Sequence, residues 1–223
     1  MLIINWGTAS TKRKSVMETK KTALILAGGK SQRFYPLDKC FITLNNKPLI
    51  QHAIDRISSV TEEIIVAARD EEQGRRIREI IENSNKIVFV FDSSEGAGPL
   101  AGFLSGLERA SFSYSIVIGC DMPFVDPAVA KFLFEIASSA GYDAAVPKWG
   151  NGMLEPLHAV YQNAPMRAAI KEEVRKGVGK ISDILLQLQN VYFLPVARIR
   201  DIDPGLKTFT NINTAEELKK IIA

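Results

Sequence analysis

The sequence predicts an α/β fold, a Rossmann-like three-layer α/β/α arrangement around a mostly parallel central sheet. Two observations predict it. Short apolar runs alternate with amphipathic stretches along most of the 223-residue chain, and the runs are continuous in Val, Ile and Leu rather than broken by polar residues. Continuous runs suit strands buried on both faces of a parallel sheet, and repeated strand–helix alternation implies right-handed crossovers.

In order, TALIL (22–26) reads as a strand leading into a glycine loop, and residues 48–60 have helical spacing. EIIVAA (63–68) reads as a strand and 71–84 as a helix; IVFVF (87–91) precedes a helix over 98–110, and SIVIG (115–119) one over 127–140. The second half is less regular. Strands are expected at 142–147, 158–161 and 191–196, helices near 165–176 and 180–188, and a last helix after NIN (211–213), where Thr214 and Glu217 form a capping-box pattern.

Charge and composition narrow the function. The formal charge of +3 comes from residues 1–21, which hold Lys12, Arg13, Lys14, Lys20 and Lys21 against Glu18 alone. The remainder holds 23 basic and 24 acidic residues, so the expectation is a flexible basic extension at 1–20, one domain from 21 to 223, and no nucleic-acid partner. No apolar run approaches the roughly 20 residues of a membrane span. Cys40 and Cys120 stand far apart, without metal-ligand spacing, and read as reduced, buried thiols of a cytoplasmic protein with no membrane partner.

Ligands of an open parallel sheet bind beyond the carboxyl ends of its strands, so the residues after each predicted strand are the candidates. Leu26, Ala27, Gly28 and Gly29 lead to Arg33 and Lys39. Glycines let a backbone approach a phosphate with its amide hydrogens aimed at the anion. Arg33 would pair with phosphate by its fork, Lys39 as a point charge. On these residues alone, a plain strand exit with two solvated cations stays open. The segment lacks both the Gly-Lys-Ser/Thr of a Walker loop and a third glycine of the dinucleotide fingerprint.

Asp121, in CDMPF, can hold Mg²⁺ against nucleotide phosphates or simply turn the chain before Pro123. Asp92 can accept the paired N–H donors of a guanine edge, or close an Asx turn. Asn211 and Asn213 offer amides, with a helix cap as the alternative for Asn213. His158 and Glu155 lie in EPLHAVY, where a strand His is more often a satisfied structural residue than a base. Trp149 could stack on a flat ring or be an ordinary loop aromatic.

Taken in order, LILAGGKSQR, Asp38-Lys39, NKPLI, GPLAG, CDMPF, EPLHAVY and NINTAEEL resemble molybdenum cofactor guanylyltransferases of the MobA type, from about residue 22 to the C-terminus. The resemblance implies a nucleotidyltransferase using GTP and Mg²⁺, in which the terminal phosphate of molybdopterin attacks the α-phosphate of GTP and pyrophosphate leaves. It implies backbone contacts from Leu26, Ala27 and Gly28, phosphate binding by Lys39, guanine reading by Asp92 and Mg²⁺ ligation by Asp121. Arg33, Asn211 and Asn213 match positions around the site. The role implies the molybdenum insertase or an apo-molybdoenzyme as a protein partner. The chain departs from the family pattern after Arg33, which is followed by Phe34-Tyr35-Pro36-Leu37 instead of Met-Gly, and at Ala67, where an Asn is usual. Cytidylyl transfer to molybdopterin, sugar-phosphate nucleotidyl transfer and a non-catalytic GTP-binding regulator are the alternatives.

Overall fold

The computed structural model describes residues 20–28, 38–92, 99–176, 180–213 and 217–218. The basic stretch 1–19, Gly29 and Arg33 lie outside the described residues, as does most of the last helix, so the expectations placed on them are not addressed by the structure.

β1 (Thr22–Leu26) is buried along its whole length and pairs in parallel with β4 (Glu63–Ala68) on one side and β6 (Tyr114–Gly119) on the other. β5 (Val88–Phe91) adds in parallel to β4. Beyond β6 come β8 (His158–Gln162), β7 (Ala144–Lys148) and β9 (Val191–Pro195), giving the seven-strand order β5-β4-β1-β6-β8-β7-β9. β8 alone runs antiparallel to its neighbours. It follows β7 through a loop without a helix, and a parallel return would have needed a crossover. The mostly parallel α/β expectation is met.

Alternation along β1 divides the core. Ala23 and Ile25 face a layer built from α1 (Leu49–Ile57), α2 (Glu71–Ile80) and α4 (Pro127–Ser139). Leu24 and Leu26 face α3 (Pro99–Arg109), α5 (Asn163–Arg175) and α6 (Ile181–Leu185). Helix starts follow local chemistry. Asp70 Oδ1 accepts from the Gln73 N–H at 2.7 Å to cap α2, and Asp126 caps α4 ahead of Pro127.

Some boundaries differ from expectation. The helix read over 71–84 stops at Ile80, because Ile81 is extended and Asn83 takes a left-handed φ of 53°. The helix read over 180–188 is only Ile181–Leu185. Sequence periodicity also missed a hairpin of β2 (Thr43–Leu44) and β3 (Lys47–Pro48), whose strands are too short to show a period. Its turn residues, Asn45 and Asn46, have φ of 51° and 61°, the positive pair that a type I′ turn requires. The hairpin packs Ile42 and Leu44 with Leu49, Ile212 and Phe124 in a small cluster of its own. That cluster draws the segment after Lys39 and the segment before Asn213 towards the end of β6.

Close approach of α3 to β1 depends on Gly106. A Cβ there would lie 2.3 Å from Leu24 Cδ1 and 2.6 Å from Cδ2, with Leu24 fully buried. Gly106→Ala is expected to destabilise the protein by about 1–3 kcal/mol through overpacking; a lower urea midpoint checks this, and an unchanged midpoint would show that the layer has slack.

Candidate active site

The exits of β5, β4, β1 and β6 line one edge of the sheet. The Ala27 and Gly28 N–H groups both donate to Ala67 O, at 2.9 and 3.1 Å, and the Cys120 N–H donates to Leu26 O at 3.1 Å. Leu26, Ala27 and Gly28 are thereby held to the strand ends on either side. Cys40 and Cys120 are free and buried in the core beneath this edge, as expected.

At the β6 side, Lys39 Nζ donates to Asp121 Oδ2 at 2.8 Å and to Asn213 Oδ1 at 2.5 Å. Their positions are set by backbone: the Ile212 N–H donates to Asp121 O at 2.9 Å, and the Asn213 N–H donates to Glu217 Oε2 at 2.6 Å. Asn213 therefore meets Lys39 through its side chain, while the capping-box acid Glu217 reaches its backbone. Lys39 and Asp121 remain 24% and 17% exposed, so both can reach an incoming ligand. Gly119 makes room for the carboxylate, since a Cβ there would lie 2.5 Å from Asp121 Oδ1. Asn211 is exposed, two residues along.

At the β4 and β5 side lies Asp92. Its N–H donates to Ala68 O at 3.3 Å, while its Oδ1 is buried without a hydrogen-bond partner among the described residues. Burial raises its carboxyl above the ordinary range, with Arg69 pulling the other way. Gly102 admits it, since a Cβ there would sit 2.9 Å from Oδ1; Gly28 lies in ordinary contact range of Oδ2, at 3.5 Å from a built Cβ.

Two side chains that sequence reasoning missed, Arg69 and Gln73, complete this end. Arg69 follows β4 directly; its Nε donates to Asp70 Oδ2 at 2.9 Å and its Nη1 to Asp38 Oδ1 at 3.3 Å. Gln73 accepts from the Arg69 N–H at 2.7 Å and donates to Asp38 Oδ2 at 3.1 Å and Ala27 O at 3.3 Å. The signal for Arg69 was available, because it occupies a strand exit; Gln73 lies inside a helix and gave none.

The remaining candidates sit deeper. The Trp149 Nε1–H donates to Glu155 Oε1 at 2.7 Å, and its ring packs on Phe209. Burial pushes the Glu155 carboxyl up, with the Trp149 hydrogen bond opposing it. His158 is fully buried, its Nε2 bonded to Thr208 Oγ1 at 3.1 Å and its ring edge-on to Phe209. It is a core residue, as the strand position suggested.

With this geometry in place, comparison with known proteins is informative. Residues 23–191 match the family model described as MobA-like NTP transferase domain. The chain is 36% identical over 214 residues to a protein of Methanosarcina mazei named probable molybdenum cofactor guanylyltransferase, covering 95% of this chain and 94% of that protein. It is similar in structure to molybdopterin-guanine dinucleotide biosynthesis protein A from Archaeoglobus fulgidus, with a TM-score of 0.76 and 31% identity, covering 89% of this chain and 95% of that one. A 4-diphosphocytidyl-2C-methyl-D-erythritol synthase from Anaerococcus prevotii, at 14% identity, shares the fold with a TM-score of 0.64 over 91% of this chain and 96% of its own.

Burial of His158 generates a test that needs no ligand. Desolvation lowers its pKa from 6.5 to about 3. Between those values the unfolded chain binds a proton that the folded chain refuses, so stability falls as pH drops below about 6.5 and is flat above it. Between pH 7 and pH 5 the wild type should lose about 2 kcal/mol more than His158→Gln. Urea unfolding at both pH values checks this; parallel losses would contradict a buried neutral imidazole.

Proposed function

The chain belongs to the MobA-like NTP transferase family, and from that membership we propose that it transfers GMP from GTP to molybdopterin, releasing pyrophosphate and forming the guanine dinucleotide of the cofactor. One observation carries the reading beyond the family. A cation–carboxylate pair, Lys39 with Asp121, lies at the end of β6, and a buried acceptor carboxylate, Asp92, lies at the end of β5. Neighbouring strands lie about 4.8 Å apart, so the three spacings from β6 to β5 span about 14 Å, suited to a nucleotide stretched across the end of β1 with phosphates towards β6 and base towards β5.

In this arrangement the backbone of Leu26, Ala27 and Gly28 lies under the nucleotide, and Asp92 accepts from the N1–H and 2-amino group of guanine. Lys39 exchanges its carboxylate contact for phosphate oxygens and neutralises charge as the bond from the α-phosphorus to the leaving pyrophosphate breaks. The attacking phosphate is already ionised near neutral pH, so positioning and charge neutralisation suffice and no general base is required. Asp121 fits Mg²⁺, an ion usually held by one or two carboxylates together with substrate phosphates; when bound, Mg²⁺ supplies positive charge at those phosphates. Among the described residues no three His, Cys, Asp or Glu side chains form a ready cage, which agrees with a metal that arrives with its nucleotide. Asn213 orients Lys39. Gly29, Arg33 and Asn211 keep the roles the family pattern gives them: loop backbone for Gly29 and places around the site for the other two.

No described helix is long and apolar enough to cross a membrane. A GTP-dependent transferase of this kind would work in the cytoplasm and pass its product to the molybdenum insertase or an apo-molybdoenzyme.

Calorimetry with GTP, CTP, ATP and UTP, with and without Mg²⁺, tests the reading. Selective, Mg²⁺-sensitive GTP binding is expected; a preference for CTP would move the activity to the cytidylyl relatives, and binding without pyrophosphate release in the presence of molybdopterin would make the protein a regulator. Asp121→Asn and Lys39→Met should each lower pyrophosphate release by about 100-fold or more while leaving the circular dichroism spectrum unchanged. Near-normal turnover in Asp121→Asn would remove Asp121 from the site.

A further inference from the structure

We propose that Arg69 is a specificity-determining residue of this chain, donating its guanidinium to the O6 and ring-N7 edge of the guanine whose opposite donors Asp92 accepts; this rests on the guanylyl reading above. Arg69 leaves β4 beside Gly28, which also neighbours Asp92. A Cβ built on Gly28 would lie 3.5 Å from the Arg69 backbone nitrogen and 3.5 Å from Asp92 Oδ2. A ligand lying against Gly28 therefore meets the Asp92 carboxylate and the backbone from which the Arg69 side chain departs.

The guanidinium is held but not used up. Its Nε–H goes to Asp70 and one Nη1–H to Asp38. Of the five N–H donors that an arginine carries, three have no partner among the described residues, and the side chain is 35% exposed. Both anchors are themselves fixed: Asp70 caps α2 through Gln73, and Gln73 donates to Asp38. The 3.3 Å contact to Asp38 is long for a charge-assisted bond, which usually falls near 2.7–2.9 Å. The fork is thus oriented in advance, with donors to spare.

The chemistry distinguishes bases. Guanine places two acceptors, O6 and N7, beside the donors N1–H and the 2-amino group, which is what a guanidinium next to a carboxylate complements; bidentate pairing of Arg with O6 and N7 is the commonest specific contact to guanine. Adenine puts an amino group where O6 would be and a lone pair where N1–H would be, opposing both residues at once. A phosphate-binding role fits less well. Arg69 follows β4, on the far side of β1 from the β6 strand that leads to Asp121.

Single-atom analogues separate the two contributions, with binding read by calorimetry. The 6-thio analogue of GTP weakens the O6 acceptor, 7-deaza-GTP removes N7, and inosine triphosphate removes only the 2-amino group. In the wild type, 6-thio-GTP and 7-deaza-GTP should each bind about tenfold more weakly than GTP. In Arg69→Met both penalties should fall towards unity, while the inosine penalty, which belongs to Asp92, persists. Arg69→Lys, with the charge kept and the fork lost, should retain the penalty for 6-thio-GTP and lose that for 7-deaza-GTP, and it serves where Arg69→Met does not fold. Unchanged 6-thio and 7-deaza penalties in the variants would overturn the proposal and leave Arg69 as a tether for Asp38 and Asp70. A wild type that binds GTP no better than CTP would instead sink the guanylyl reading itself.

Discussion

Parallel pairing on both sides of β1 is the constraint on which the rest of the structure depends. Because β4 and β6 run in the same direction as β1, all three end on one edge, and the amides just past β1 close onto Ala67 O, with Cys120 closing onto Leu26 O. β5 adds Asp92 to the same edge through its bond to Ala68 O. Buried backbone donors and acceptors must find partners, so these closures cannot be dropped cheaply. They set the spacing of the candidate side chains before any of those side chains makes a contact.

The edge so formed is electrically lopsided. Towards β6 one lysine and one aspartate offset each other, and each keeps some exposure. Towards β4 and β5, among the described residues, three carboxylates, Asp38, Asp70 and Asp92, lie around the Arg69 cation. Among the described residues, an anionic group entering near Asp92 would meet more carboxylates than cations, whereas a neutral ring carrying N–H donors could pair with the Asp92 carboxylate. A nucleotide has such a polarity, anionic at one end and hydrogen-bonding at the other, and its two ends match the two ends of this edge in one direction only.

Much of this was legible in the sequence, for definite reasons. Buried parallel strands must be apolar throughout, so TALIL, EIIVAA and SIVIG announced themselves, and the rule that ligands sit at strand ends singled out Gly28, Asp92 and Asp121. Lys39 stood out as a cation following the glycine loop, but its contact with Asn213 joins residues 174 positions apart and no local pattern encodes it. The β2–β3 hairpin escaped because two-residue strands carry no period, although Asn45-Asn46 was a turn signal in plain view. Arg69 was passed over for a different reason. The family pattern places its Asn at Ala67, inside β4, whereas Arg69 stands just beyond the strand, and Ala67 contributes a carbonyl to Ala27 and Gly28.

The contact between Lys39 and Asp121 bears on how a metal and a triphosphate would enter such a site. Each group is the other's counter-ion at 2.8 Å, so a divalent cation approaching Asp121 alone must displace an ammonium, and a triphosphate approaching Lys39 alone must strip it from a carboxylate. Either exchange leaves one partly buried charge without its partner, which is costly. Arrival of the two together avoids that cost. Asp121 would then pass to the metal as Lys39 passes to the phosphates, and each would keep a partner of opposite charge. Asn213, tied through its backbone to Glu217 and through its side chain to Lys39, keeps the ammonium near its place during the exchange. On the proposed reading the pair therefore favours the metal–nucleotide complex over either component alone, with Asn213 holding the lysine in place.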